Sequence, residues 1–248
     1  MMSCAASRRF FVFCLFALLA THTGLCQNTR VYGFRISSAV LGAGAAGGLG
    51  AGTWLEHRLK PLSEAEILAL NPRHINALDR IAARQWHRGV AKVSDVYAVG
   101  LLCSPLVLYA LPNVRAQGLD PALLMFQTYA LNYGLNSLVK PLVHRTRPFV
   151  YNPDVPMSYK TQRDARLSFF SAHTSGSASA CFLMAKIYHD THPESSTRPY
   201  VWAGAAILPA VTGLMRIKAG KHFPTDVFVG YLMGALVGIV VPEIHLKR

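Results

Sequence analysis

The sequence predicts an all-α protein, a helical bundle in which about five to six apolar helices cross a membrane. Apolar residues make up 52% of the 248 residues and charged residues only 15%. The mean hydropathy is +0.27, so the chain is more apolar than an ordinary soluble domain. The apolar residues also fall into runs of helix length, separated by short segments rich in charge and proline. The length suits one domain rather than two generous ones.

The first 27 residues predict a secretory signal peptide or a short N-terminal anchor. Arg8 and Arg9 provide a basic start and Phe10 to Ala20 an apolar core, in the order found in secretory signals. This core is shorter than a membrane span requires. We therefore expect a cleaved leader, with an uncleaved anchor as the alternative.

Residues 28–95 predict a distinct N-terminal region, rich in glycine and alanine at first and amphipathic afterwards. Gly44, Gly48 and Gly52 recur at four-residue spacing, which in a membrane would form a helix-packing face. The stretch 36–55 is nearly all apolar and free of charge, but its glycines weaken insertion. The sequence therefore leaves open whether this stretch spans a membrane.

The segment from Glu56 to Lys92 is polar and basic, with apolar residues at helical spacing. It predicts one or two amphipathic helices, broken near Asn71-Pro72. Residues 96–248 predict the helical core. Its apolar helices are expected at Val96–Leu111, Pro121–Val139, Ser168–Ile187, Tyr200–Met215 and Phe223–Val241. The second of these carries a polar stripe, which in lipid must face other helices.

The chain is strongly basic, with a formal net charge of +13. This charge favours nucleic acid, an anionic membrane or an anionic substrate as a partner. The sequence contains no nucleic-acid-binding motif, so we expect no nucleic-acid partner and prefer the other two. The five cysteines include no Cys-x-x-Cys pair and no metal-type spacing, so they indicate neither a redox motif nor a metal site.

The stretch from Arg216 to Asp226 carries the most informative pattern of the chain. Pro224 suits the first turn of a helix, which puts His222 at the mouth of that helix and Asp226 one turn further in. Their i, i+4 spacing places both on one face. A carboxylate there can accept a hydrogen bond from the N–H of one imidazole nitrogen and leave the other nitrogen free as a nucleophile. Arg216 would complete an anion site, although this stretch alone also fits a solvated basic loop.

Two further stretches favour the catalytic interpretation. One runs from Lys140 to Arg147-Pro148, and the other contains Ser171-Ala172-His173. With these three stretches in order, the sequence resembles the type-2 phosphatidic acid phosphatase superfamily, whose relatives include bacterial acid phosphatases and vanadate haloperoxidases. The family pattern is Lys, six residues, Arg-Pro; then Pro-Ser-Gly-His; then Ser-Arg, five residues, His, three residues, Asp. The departures from this pattern are Phe170 for Pro, Ala172 for Gly and Met215 for Ser.

The resemblance, which runs from Pro121 to the C-terminus, implies a metal-independent phosphatase that forms a phosphohistidine. In the family's mechanism His222 attacks phosphorus, Asp226 holds its tautomer, and His173 protonates the leaving alcohol and later activates water. The phosphate-binding residues implied in this way are Lys140, Arg147, Ser171, Ala172 and Arg216. No metal ion or other cofactor is implied, because the lysine and arginines supply the charge. The family pattern leaves His144 and Arg145 free, and we expect both to be solvated loop residues.

The apolar helices and the resemblance together predict a lipid phosphate or lipid diphosphate as substrate, carried by a phospholipid, an isoprenoid lipid or a lipid A type molecule. The resemblance further implies a multi-pass protein of the bacterial inner membrane with its site facing the periplasm. If residues 36–55 span after cleavage of the leader, the site would face the cytoplasm. Two alternatives stay open: a periplasmic acid phosphatase for small soluble esters, and a non-catalytic protein that binds phospholipid headgroups.

Overall fold

The structure, a computed structural model, describes residues 31–33 and 36–247. The predicted signal peptide or anchor lies outside the described residues. Within the described part the chain forms helices and turns with no β-strand, so the predicted all-α class is confirmed. The long helices of this part are α1 (Ile36–Arg58), α2 (Arg88–Cys103), α3 (Asp120–Val143), α4 (Ala172–Thr191), α5 (Arg198–Lys218) and α6 (Pro224–His245). The division of the chain at residues 27 and 95 stays a prediction.

Short elements connect the long helices. The short α-helices are Glu64–Leu68, Pro112–Arg115 and Met157–Lys160. The 3-10 helices are Pro72–His74, Arg80–Ala82, Ser104–Ala110, Pro148–Tyr151 and Arg163–Arg166. Most of these turns lie at the end of the bundle where α6 begins, and they cover the residues of the candidate site.

The segment between α1 and α2 is less helical than the sequence predicts. The expected amphipathic helix is reduced to one short α-helix and two 3-10 turns, so the prediction of one or two such helices is wrong in extent. The Asn71 side chain accepts a hydrogen bond from the Arg73 N–H at 2.9 Å, which competes with helical pairing. Beyond this turn, Ile75 and Ala82 pack against Phe223, so tertiary contacts fix the path of the segment.

Helix α2 ends earlier than predicted, at Cys103. The chain continues as a 3-10 helix from Ser104 to Ala110. Pro105 explains the change, because proline lacks the N–H and obstructs the carbonyl one turn before it in an α-helix. At the start of a new 3-10 helix the missing N–H costs little. The proline therefore changes the type of helix without ending the helical path.

Helix α4 is the central element and packs against α2, α3, α5 and α6. Its contact with α6 is very close, because three glycines of α6, spaced one turn apart, face serines at the N-cap and in the first turns of α4. A Cβ atom added at Gly234 would lie 2.1 Å from the carbonyl oxygen of Ser175. Only small residues allow two helix backbones to approach this closely. This seam fixes the start of α6 against the start of α4.

Helix α1 packs along α3 through a second close contact. A Cβ atom added at Gly52 would lie 2.3 Å from the carbonyl oxygen of Ser137, and one added at Gly48 would lie 2.8 Å from that of Gly134. Gly44 has no such neighbour, so the predicted packing face consists of two of its three glycines. Helix α1 runs along the bundle, although its many glycines keep it below the hydropathy of a candidate membrane span.

Three helical segments of the described chain are long and apolar enough to cross a membrane: Arg88–Ala110, Arg198–Lys218 and Pro224–His245. Large apolar side chains stay exposed on each of them. Val96 is 75% exposed on the first, Leu214 is 67% exposed on the second and Phe228 is 62% exposed on the third. Apolar surface of this extent suits contact with lipid, and the chain is a membrane protein.

Successive long helices run in opposite directions. Residues 31–33 therefore meet the end of α6, where the Gly33 N–H donates to the His245 carbonyl at 2.8 Å and the Lys247 N–H donates to the Val31 carbonyl at 2.9 Å. The other end of the bundle collects the C-termini of α1, α3 and α5 and the N-termini of α2, α4 and α6. This second end carries the candidate site.

Candidate active site

The alternating helices bring the three sequence motifs to one end of the bundle. His222 Nε2 lies 3.4 Å from Arg147 Nη1, and His173 and Arg216 both bind one oxygen of Asp95. Lys140, near the end of α3, is electrostatically coupled to Arg147 and Arg216. The residues that the motifs singled out therefore form one cluster, as a composite site requires.

The ring of His222 is buried and held in one orientation. Its Nδ1 lies 2.8 Å from the backbone carbonyl oxygen of Ser168. Because a carbonyl oxygen only accepts hydrogen bonds, Nδ1 carries the proton and Nε2 keeps its lone pair. Nε2 points toward the guanidinium of Arg147.

The surroundings of His222 keep the ring neutral. Burial, and then the positive charges of Arg147, Lys140 and Arg216, hold the pKa of His222 well below its ordinary value. A neutral imidazole retains the lone pair that a nucleophile needs.

Asp226 lies near His222 but is not its closest acceptor. Its Oδ2 is 3.9 Å from His222 Nδ1, beyond hydrogen-bond distance. The same oxygen accepts from the Ser168 hydroxyl at 2.6 Å and from the Phe223 N–H at 2.9 Å. The carboxylate thus caps the start of α6 and holds Ser168, whose carbonyl in turn orients His222.

The prediction that Arg145 is a solvated loop residue is wrong. Its guanidinium forms ion pairs with Asp79 at 2.5 Å and with Asp226, and it donates to the Thr225 hydroxyl at 2.7 Å. Both carboxylates are fully buried, so Arg145 supplies the charge that they need. His144 is exposed and ends α3 in a left-handed conformation, as a solvated residue can.

Arg147 is buried and held on several sides. Its Nε donates to the Asp164 carbonyl at 2.9 Å, its Nη2 donates to the Asp164 carboxylate at 2.7 Å, and its Nη1 donates to the Lys221 carbonyl at 3.0 Å. The positive charges of Arg147 and Lys140 lower the pKa of the exposed Asp164 carboxyl group. A guanidinium fixed in this way is preorganised for an anion.

Lys221 adds a further cation beside the site. Its ammonium lies 5.0 Å from the ring centre of Phe149 and 5.5 Å from that of Trp86, which suits cation–π attraction. Burial and the charge of Arg147 lower the pKa of Lys221 to about 8.

Arg216 and His173 meet at Asp95, which lies on α2. Arg216 Nη1 lies 2.7 Å from Asp95 Oδ1 and donates to the Ser94 hydroxyl at 2.9 Å. His173 Nε2 lies 3.0 Å from the same Asp95 oxygen. Arg216 Nε is buried and has no hydrogen-bond partner among the described residues, so it remains available to a bound anion.

Ser171 and Ala172 form the start of α4. The Ser171 hydroxyl oxygen accepts from the Thr174 N–H at 3.4 Å and from the Thr174 hydroxyl at 2.9 Å, which caps the helix. Ser171 is fully buried, whereas Ala172 and His173 are partly exposed. Asn136, from the predicted polar stripe of α3, donates to the Phe170 carbonyl at 3.1 Å. This hydrogen bond fixes the chain directly before α4. The N–H groups in the first turn of α4 favour an anion.

Sequence reasoning missed four residues that hold the site together: Asp79, Asp95, Asp164 and Ser168. Only Asp95 had a signal, because it directly precedes the apolar run that begins at Val96, and a carboxylate at the edge of a membrane helix is costly unless it has a role. In the described part of the chain, no group of three or more His, Cys, Asp and Glu side chains could hold a metal ion.

Comparison with known proteins identifies the family. The family model described as the PAP2 superfamily matches residues 121–248, just over half of the chain. The fold and this match define a phosphatase, and the chain belongs to the PAP2 superfamily. The predicted resemblance to type-2 phosphatidic acid phosphatases is thereby confirmed.

The individual relatives share between 18% and 35% of their aligned residues with this chain. The decaprenylphosphoryl-5-phosphoribose phosphatase of Mycobacterium tuberculosis is 29% identical over 167 residues, which cover 67% of this chain and 83% of the relative. Phospholipid phosphatase 1 of Rattus norvegicus is 35% identical over 83 residues, which cover 32% of this chain and 29% of the relative. A crystal structure of the first transmembrane PAP2 type phosphatidylglycerolphosphate phosphatase, from Bacillus subtilis, aligns with 96% of this chain and 94% of that one, at 18% identity and a TM-score of 0.48.

Proposed function

We propose that this phosphatase hydrolyses a lipid phosphate or lipid diphosphate through a phosphohistidine on His222. The observation that carries the proposal is the orientation of the His222 ring. Nδ1 lies 2.8 Å from the Ser168 carbonyl oxygen, and Nε2 lies 3.4 Å from Arg147 Nη1. The nitrogen that keeps its lone pair therefore stands beside a guanidinium suited to bind the phosphate.

The phosphate would be bound by a ring of positive groups. Arg147 and Arg216 each present N–H groups at the site, and Lys140 adds a point charge. Backbone N–H groups at Ala172 and His173 contribute the positive end of α4. Charge that spreads over three phosphoryl oxygens in the transition state is stabilised by this arrangement.

The chemical steps follow from these positions. His222 Nε2 attacks phosphorus, and the bond from phosphorus to the leaving oxygen breaks while His173 donates a proton to that oxygen. A water molecule then attacks the phosphohistidine and gives its proton to His173, and the P–N bond breaks to release phosphate. Asp226 supports His222 through Ser168 and the start of α6.

The lipid substrate is supported by the relatives and by the membrane helices. The printed names of two relatives describe phosphatases of a decaprenylphosphoryl sugar phosphate and of a phospholipid. The apolar surface of the candidate spans would hold this chain in the lipid that carries such substrates. Phospholipid, isoprenoid-lipid and lipid A type phosphates all belong to the proposed class.

We place the protein in the bacterial inner membrane as a multi-pass protein with its site on the periplasmic side. Residues 31–33 pair with the end of α6, opposite the site. If α1 and α6 span the membrane, a periplasmic site requires residues 31–33 and the C-terminal end to lie in the cytoplasm. A cleaved leader would instead leave residues 31–33 in the periplasm and the site in the cytoplasm. A C-terminal fusion to green fluorescent protein should then fluoresce, and a fusion to alkaline phosphatase should stay inactive. The reverse pattern would put the site in the cytoplasm.

The activity is tested by phosphate release from the purified protein in detergent. The panel contains a phosphatidate, an isoprenoid diphosphate, a lipid A type phosphate and nitrophenyl phosphate, each with and without EDTA, and His222→Gln is the inactive control. The proposal predicts a higher kcat/KM for a lipid phosphate than for the soluble ester, with no loss in EDTA. A preference for the soluble ester would indicate an acid phosphatase, and lipid binding without turnover would indicate a headgroup-binding protein.

A further inference from the structure

We infer that Asp95 is a positioning residue for the general acid, a role that no part of the family motif assigns. This inference rests on the proposed function, because it assumes that His173 protonates the leaving oxygen. The observation is the contact of 3.0 Å between His173 Nε2 and Asp95 Oδ1. Asp95 comes from α2, outside the matched residues 121–248.

The two histidines of the site have acceptors of opposite kind. The acceptor of His222 is a neutral backbone carbonyl, and Arg147 stands beside its free nitrogen. The acceptor of His173 is a carboxylate. A neutral acceptor and a nearby cation suit a nucleophile that must stay uncharged, whereas a carboxylate stabilises an imidazolium that must carry a proton. Burial and the positive charge of Arg216 lower the pKa of His173, and Asp95 acts against both. The carboxylate is therefore the group that favours the protonated form of the acid.

Asp95 also fixes which nitrogen of His173 acts. A proton on Nε2 is bound to the carboxylate, so Nδ1 is left to serve the leaving oxygen. To act as the acid, His173 must first carry a proton on both nitrogens. It gives the Nδ1 proton to the leaving oxygen, while the proton on Nε2 stays on the ring and is hydrogen-bonded to Asp95. The ring then regains a proton on Nδ1 from the attacking water.

The same carboxylate oxygen ties the acid to the phosphate-binding machinery. Arg216 Nη1 lies 2.7 Å from it, so Asp95 sets the distance between the acid and a phosphate ligand. Ser94, on the same helix, holds Arg216 independently at 2.9 Å. Arg216 therefore keeps one partner when Asp95 is replaced, and the loss falls mainly on His173.

The test is rapid-quench labelling of the full-length protein with a labelled lipid phosphate and with labelled nitrophenyl phosphate. Asp95→Asn should slow phosphoenzyme formation on the lipid phosphate by about tenfold to a hundredfold. On nitrophenyl phosphate, whose leaving group needs little protonation, the loss should stay below about threefold. Asp154→Asn, the same change at an exposed position of the loop after Pro148–Tyr151, is the control and should leave both rates unchanged.

The double variant separates positioning from a general loss of structure. In a His173→Ala background, Asp95→Asn should cause little further loss, because its effect passes through His173. Equal losses on both substrates, or full additivity with His173→Ala, would overturn the assignment. If Asp95→Asn does not fold, Asp95→Glu carries the same test, since it keeps the charge and should show a smaller loss with the same dependence on the leaving group.

These outcomes are distinct from a failure of the proposed function. If the wild-type protein forms no phosphohistidine, the proposed function fails. If the wild type is labelled and His173→Ala depends on the leaving group but Asp95→Asn does not, only the role of Asp95 fails.

Discussion

Replacing Ser168 by alanine separates the two ways in which this residue supports the nucleophile. Its hydroxyl donates to Asp226 Oδ2 at 2.6 Å, and its backbone carbonyl orients His222. Ser168→Ala removes only the hydroxyl. Asp226 then stays buried with the Phe223 N–H and Arg145 as remaining partners.

The expected loss of stability follows from the type of bond removed. A hydrogen bond to a charged group contributes about 1.5–3 kcal/mol, and both partners here are fully buried. At about 2–4 °C per kcal/mol for a chain of this size, the melting temperature should fall by roughly 3–12 °C. Because the Ser168 carbonyl remains, phosphoenzyme formation should fall by less than about tenfold, or ~1.4 kcal/mol.

The assay combines thermal unfolding in detergent with rapid-quench labelling. Ser179→Ala is the matched control, because Ser179 is also fully buried but its hydroxyl donates within α4, to the Gly176 carbonyl at 2.9 Å. That variant should change stability by less than about 1 kcal/mol. Unchanged stability in Ser168→Ala, or a loss of labelling as complete as in His222→Gln, would refute the proposed division of roles.

Three further outcomes are expected. Gly234→Val should prevent recovery of a folded monodisperse protein in size-exclusion chromatography, because the valine side chain would clash with the facing backbone of α4. Gly204→Val is the control and should be recovered normally, because Gly204 has open space around it. Arg145→Gln should destabilise the protein by roughly 3 kcal/mol in thermal unfolding, because two buried carboxylates lose their positively charged partner. His144→Gln is the control and should leave the stability unchanged. Since the pKa of His222 is lowered on folding, the unfolded chain binds its proton below about pH 6.5 and the folded one does not. The wild type should therefore lose stability relative to His222→Gln by about 1.4 kcal/mol per pH unit below that pH, and a difference independent of pH would contradict a neutral buried ring.

The starts of α3, α5 and α6 lie within two residues of the predicted ones, whereas α2 begins at Arg88 rather than Val96. Pro224 begins α6, as its residue type suggests. Helix α4 begins at Ala172 rather than at the predicted Ser168, because Ser171 caps it. The apolar runs between the motifs have the length that brings motif residues to one end of a bundle. The cluster of His173, Arg216 and His222 could therefore be expected from order and spacing alone.

The contacts that tune the site could not be predicted, because they join residues far apart in sequence. Ser168 and His222 are 54 positions apart, and Arg145 and Asp79 are 66 positions apart. Arg145 looked like a solvated residue because a charged loop residue is exposed by default. Its partners, Asp79 and Asp226, come from the segment between α1 and α2 and from the start of α6. Only the packing of this segment against α6 brings them together.

The position of the phosphoryl group in the intermediate tests the central claim most directly. The wild-type protein is mixed with a labelled lipid phosphate, quenched within one turnover under alkaline conditions, digested, and mapped by mass spectrometry with assignment of the phosphohistidine isomer. Because Nδ1 of His222 is bound to the Ser168 carbonyl, the phosphoryl group should be found on Nε2 of His222. A phosphoryl group on Nδ1, a label on His173, or turnover with no alkali-stable phosphohistidine would contradict it.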